Sequence, residues 1–162
     1  MILLVHMLFG AAVGYKTYSL TGSIWLSLTL ALLSHYFLDL FPHVEYLKSA
    51  ESLGKRIKSD KFKSYFFDLL KVLLDFLIGL ALLFLLSKNQ IIIYLFAILA
   101  IIPDGLTVIN SLFKNTILKR HQELHGEKIQ YLTKNKKLSK FWRVFTQVIA
   151  VLISVIVLEL GE

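Results

Sequence analysis

Residues 17–38 contain no Asp, Glu, Lys or Arg, and residues 89–113 contain one, Asp104. A helix needs about 20 largely apolar residues to cross the hydrocarbon core of a bilayer. Residues 1–15 and 144–158 are also free of charge, and residues 64–87 are apolar apart from Asp68, Lys71 and Asp75. This pattern predicts an all-α, polytopic membrane bundle of about five transmembrane helices, over residues 1–18, 21–41, 64–87, 90–113 and 141–160. The first stretch is not read as a signal peptide. It lacks a positive n-region, carries His6 and runs directly into another span.

The chain is nevertheless basic, with 18 Lys+Arg against 11 Asp+Glu, a formal charge of +7. Most of the basic residues fall in two stretches, 42–63 and 114–140, while the opposite connections carry only Lys16 and Lys88. The positive-inside rule places both long loops in the cytoplasm, with the N-terminus inside and the C-terminus outside the cell (inner) membrane. The basic runs flank spans and accompany no nucleic-acid motif. They read as a topology signal and as attraction to membrane lipid headgroups, not as a nucleic-acid surface. Cysteine is absent, which excludes disulfides, thiolate metal sites and cysteine nucleophiles.

Ionisable residues inside spans are costly and by default mark function. His6, His35, Asp39, Asp68, Asp75 and Asp104 lie in the expected spans. Counted at 1.5 Å per residue, His6, His35, Asp75 and Asp104 all stand within roughly 5–15 Å of the cytoplasmic ends of their helices. His35 and Asp39 are four apart and share a helix face. His43 would follow one turn later but for Pro42. In HQELH, His121 and His125 are also four apart and interrupt the apolar series Ile117, Ile129 and Leu132, so both are expected to look toward the membrane mouth. The motif is not that of a zincin, which needs Glu directly after the first His. Taken singly, Asp68 or His43 is more simply a polar group satisfied within the bundle.

The spans carry an internal echo. HMLFG (His6, Gly10) and DFLIG (Asp75, Gly79) match at an offset of 69, as do LALLSH (His35) and LAIIPD (Asp104). This predicts a single integral membrane domain over 1–162. It would comprise a hairpin repeat at 1–41, a cytoplasmic loop at 42–63, a second hairpin at 64–113, a loop at 114–140 and a last helix at 141–160. Parallel repeats of this kind are known among membrane proteins.

Imidazole and carboxylate without thiolate suit a divalent ion, zinc foremost, with manganese, iron or magnesium also compatible. The expected ligands are His6, His35, Asp39, Asp75, Asp104, His121 and His125. Seven exceed the needs of one tetrahedral ion, so two ions bind or some of these residues serve as base or support. Metal-bound water would be the nucleophile for a phosphoester or similar bond. Asp75 or Asp104, where not a ligand, would be the catalytic base. The alternative is a non-enzymatic metal-binding membrane protein, a cation transporter or a structural protein. Transport is disfavoured because the outer halves of the spans contain neither acid nor imidazole.

HMLFGAAVG, SHYFLDLFPHVEY, Asp75-x-x-x-Gly79, the apolar run ending in Pro103-Asp104 and the late His pair together resemble small uncharacterised prokaryotic membrane proteins. These belong with or near the membrane-bound metal-dependent hydrolases, which are distantly similar to zinc-dependent phospholipase C. The resemblance spans residues 6–125 and implies a divalent-metal site and hydrolysis of a phosphoester or lipid-linked, amphiphilic substrate. It favours His6, His35, Asp39, Asp104, His121 and His125 as ligands. The order of elements departs from the better-known members, where Ser-His-x-x-x-Asp comes late and Pro-Asp leads into an Asp-x-Asp-His run. Here that element comes early, and Gly105 follows Asp104.

Overall fold

A computed structural model describes residues 3–44, 62–87, 90–113, 115–130 and 139–160. Every regular element among them is helical. In chain order these are α1 (Leu3–Thr21), α2 (Ile24–Asp39), α3 (Phe62–Leu86), α4 (Ile91–Leu112), α5 (Thr116–Glu123), a π-helical turn (Leu124–Ile129) and α6 (Lys140–Glu159). Most of the residues of the two basic loops, among them 45–61 and 131–138, lie outside the described residues, as does the side chain of Asp68.

Three helices are long and apolar enough to cross a membrane, over Leu69–Leu86, Ile91–Asn110 and Lys140–Glu159. This is membrane-protein character by length and composition, and it meets the expectation of five spans in part. The other two expected spans correspond to α1 and α2. The first is diluted by His6, Lys16 and its glycines, and the second is a shorter apolar helix of 16 residues.

The position of α1 explains its mixed composition. It packs against α2, α3, α4 and α6 at once. Val5, His6, Met7, Leu8, Gly10, Ala11, Ala12 and Gly14 are all buried along it. A central helix needs small residues where neighbours cross it, since close backbone approach is what drives packing in an apolar solvent. A Cβ on Gly10 would lie 2.2 Å from the Ala100 Cβ, and one on Gly14 would lie 2.4 Å from Phe96 Cγ. Gly10-x-x-x-Gly14 is thus the seam against α4. The core beside it is Met7, Leu8, Ala11, Ala31, Leu83, Ile93, Phe96 and Ala97.

The outer helices show the opposite pattern. On α3, Phe66, Phe67, Leu70, Leu74, Ile78 and Phe84 are exposed, and on α6 so are Phe145, Leu152 and Ile156. An apolar outer surface is what a lipid-facing helix presents.

Short signals set the ends of the helices. Gly22 adopts φ +66° and its N–H donates to the Tyr18 carbonyl at 2.8 Å, which closes α1 and turns the chain directly into α2. Ser23 caps α2 by accepting from Leu26 N–H, and Asn115 caps α5 by accepting from Ile117 N–H at 2.8 Å. Gly79 carries the α1–α3 contact, where a Cβ would meet Met7 Sδ at 2.8 Å.

Candidate metal centre

Four of the described His and Asp side chains gather at one place. His35, Asp39, Asp104 and His125 each offer a ligand atom within 4.8 Å of the others. Three segments contribute them: α2 supplies the first two, α4 the third and the π turn the fourth.

Each imidazole is aimed by its second nitrogen. His35 Nδ1 lies 2.7 Å from the Ala100 carbonyl, to which it donates, so Nε2 faces the cluster. That carbonyl belongs to the turn just before Pro103, where the ring removes one backbone donor and presses on the preceding turn. His125 Nδ1 lies 3.4 Å from Thr107 Oγ1, whose own proton goes to the Pro103 carbonyl at 3.1 Å. Two turns of α4, from Ala100 to Thr107, therefore orient both imidazoles and also carry Asp104. Partners of this kind fix ring orientation and tautomer in metal sites.

The distances fit a cation. His35 Nε2 stands 3.0 Å from His125 Nε2, 3.3 Å from Asp39 Oδ2 and 3.6 Å from Asp104 Oδ1. Bonds of about 2.1 Å at tetrahedral or octahedral angles place neighbouring ligand atoms about 3.0–3.4 Å apart. His125 Nε2 is closer to Asp39 Oδ2, at 2.6 Å, and farther from Asp104 Oδ1, at 3.9 Å. The 2.6 Å contact has the length of a charge-assisted hydrogen bond. Gln130 also donates to Asp39 Oδ2, at 3.2 Å.

His35 and Asp39 are fully enclosed, whereas the Asp104 side chain keeps 24% of its surface exposed. A Cβ on the adjacent Gly105 would meet nothing within 4 Å. The cluster therefore opens toward the Asp104–Gly105 side.

Of the other expected residues, His6 and His121 flank this group and Asp75 lies apart from it. His6 is buried and stacks on His35, with ring centroids 4.0 Å apart, and its Nε2 lies 3.3 Å from Asp39 Oδ1. His121 stacks on His125 at 5.5 Å but points to the Tyr36 hydroxyl, 3.0 Å from Nε2. Burial and then the neighbouring His125 and His35 imidazoles hold His121 below the ordinary histidine range. Asp75 is buried elsewhere: its Oδ2 accepts the Leu4 N–H at 3.1 Å, in the first turn of α1. A carboxylate there satisfies an orphan donor and complements the helix dipole.

His43, which alone suggests only a satisfied polar group, comes within 3.6 Å of Asp39 Oδ1. Tyr36, Thr107 and Gln130 are residues for which the sequence offers no sign. Thr107 lies one turn beyond Pro103, and Gln130 is brought in by the π turn, whose closing bond runs from Gln130 N–H to the His125 carbonyl at 3.2 Å. Such π turns recur at functional sites.

No protein-family model matches the chain, and no curated protein or solved structure matches it significantly.

Proposed function

We propose that this chain is a multi-pass membrane hydrolase whose His35, Asp39 and His125 hold a divalent metal ion, with zinc the best suited to two imidazoles and a carboxylate. The observation that carries the reading is the convergence of four donor side chains within 4.8 Å of one another. The ion would lower the pKa of bound water and so supply a nucleophile at neutral pH. A catalytic site of this type keeps three protein ligands and one open position. Asp104, the partly exposed carboxylate beside the open Gly105 face, is assigned as the general base that takes the proton of the attacking water. Asp75 is assigned to anchoring the start of α1.

The substrate class is a phosphoester on an amphiphilic or lipid-linked molecule. The apolar outer faces of α3 and α6 favour a substrate that arrives through the bilayer. The basic loops, read as cytoplasmic, favour a phosphate group at that face. In this reading all five long helices span, with α1 sheltered by the others, and the two hairpins are duplicated units. Gly10 and Gly79 at close helix contacts, and His35 and Asp104 in one cluster, are what the offset of 69 would produce.

The rival is a non-enzymatic metal binder. Transport needs a polar path, and beyond His6 the axis of α1 is packed with Ala11, Ala12, Phe96 and Leu83, a layer without acid or imidazole. The deciding experiment measures metal content and hydrolysis of a chromogenic phosphodiester by detergent-purified protein. About one or more ions per chain, and turnover abolished by chelation and by D39N, support the reading. Stoichiometric metal without turnover of any phosphoester would leave the rival standing.

A further inference from the structure

Asp39 has two oxygens, and the first metal reading uses only Oδ2. On the other side, His6 Nε2 approaches Oδ1 to 3.3 Å and His43 Nε2 approaches it to 3.6 Å. Both histidines and Asp39 are buried to 1% exposure or less. Neither ring nitrogen of His6 makes a hydrogen bond, and neither does Asp39 Oδ1. Leaving polar groups unsatisfied in an apolar interior costs about 1–3 kcal/mol each. Such atoms facing one another are better explained by a missing partner between them than by packing.

The surrounding chain holds His43 in place. Its Nδ1 lies 2.9 Å from the Phe41 carbonyl, to which it donates, which turns Nε2 toward Asp39. The segment that carries it is clamped from α6. Thr146 Oγ1 donates to the Pro42 carbonyl, Arg143 to the His43 carbonyl at 3.5 Å and Gln147 to the Val44 carbonyl at 3.2 Å. These three donors stand at i, i+3 and i+4, on one helix face. The tight turn after Asp39, with Leu40 and Phe41 N–H groups bonded to Phe37 and Leu38 carbonyls, carries His43 back over Asp39 despite Pro42.

We propose a second divalent-cation site formed by His6, His43 and Asp39 Oδ1, with Asp39 bridging two ions of a binuclear centre. It rests on the metal reading of His35, Asp39 and His125. Each ion then receives two imidazoles and one oxygen of the shared carboxylate. The stacked His6 and His35 rings are neighbouring ligands to different ions. Two-metal hydrolytic sites hold their ions about 3.5–4 Å apart, a spacing a bridging carboxylate spans. Asp39 and Asp104 neutralise one divalent charge, so the second ion leaves a net positive centre, suited to a phosphoester anion.

The test is titration of metal-free protein with Mn²⁺, reading bound metal per chain and the paramagnetic resonance spectrum. Two ions per wild-type chain and a spin-coupled spectrum are expected, with H6Q and H43Q falling to one ion and an uncoupled six-line signal. The wild-type spectrum decides the matter even where a variant fails to fold, and Q147A, which touches no ligand, should weaken only the second equivalent. One ion per wild-type chain, lost in H35Q and kept in H6Q and H43Q, would overturn the second site alone. No bound ion in the wild type would overturn the first site and this one with it.

Discussion

His35 and His125 stand 90 residues apart in the chain, yet their Nε2 atoms lie 3.0 Å from each other and both face Asp39 Oδ2. Two imidazole nitrogens at this distance cannot both present lone pairs without repulsion. A proton or a metal ion must sit between them and the carboxylate.

Asp39 is therefore the hub of the site, and D39N keeps its volume while removing its charge. Breaking a buried charge network costs about 3–5 kcal/mol. D39N should lose stoichiometric metal and melt well below the wild type. Elemental analysis and a thermal melt in the same detergent check both effects.

Thr107 touches no ligand position but lies 3.4 Å from His125 Nδ1. T107V preserves the shape and removes the hydroxyl. Supporting partners of this kind contribute about 10–100-fold in metal affinity. A chelator competition titration should show a loss in that range with little change in melting temperature. An unchanged affinity would remove Thr107 from the site.

How far the sequence announces this arrangement depends on what each feature encodes. Charge-free runs place the five long helices to within about three residues of the observed α1, α2, α3, α4 and α6, because hydropathy directly measures preference for an apolar surround. Depth along a helix is equally legible, and it brings His6, His35, Asp39 and Asp104 to one level. Lateral position is not. Asp75 shares that depth by counting, but α3 meets α1 on a side where the nearest orphan donor is Leu4 N–H. His121 and His125 interrupt the same apolar series. The change from α to π winding at Leu124 turns His125 to Asp39 and leaves His121 on Tyr36. Pro42 breaks the helical register that would have linked His43 to Asp39, and only the tight turn restores the contact. Nothing in residue order encodes Gln130 reaching Asp39 across 91 positions.

The Asp75 assignment has its own discriminating outcome. D75A deletes the acceptor of a helix-terminal N–H, and such losses cost about 0.5–2 kcal/mol. The variant should melt lower while binding as much metal as the wild type. Metal loss in a folded D75A protein would instead make Asp75 a ligand.

Gly10 and Gly105 differ sharply in the space around them. A Cβ at Gly10 would meet Ala100 Cβ at 2.2 Å, and Ala100 carries the carbonyl that holds His35. Overpacking of this kind costs about 1–3 kcal/mol. G10A should therefore lower both stability and metal affinity. At Gly105 the added Cβ meets open space within α4. There the substitution exchanges glycine for a better helix former, worth up to about 1 kcal/mol. G105A should melt at or above the wild-type temperature and retain metal, and a fall equal to that of G10A would contradict the packing argument.

Metal removal should act on the fold as well as on chemistry. A ligand that binds only the folded chain stabilises it by RT ln(1 + [L]/Kd), about 2.7 kcal/mol at a hundredfold excess over Kd. The centre joins α2, α4 and the π turn, so the ion should add to the packing and hydrogen bonds that hold these elements together. Chelation should lower the melting temperature by several degrees, and restoring Zn²⁺ or Mn²⁺ should reverse the shift. In H35A the same chelator should produce a clearly smaller shift, because the ion that His35 holds is no longer bound. A chelator effect of equal size in H35A would place the stabilising ion elsewhere in the molecule.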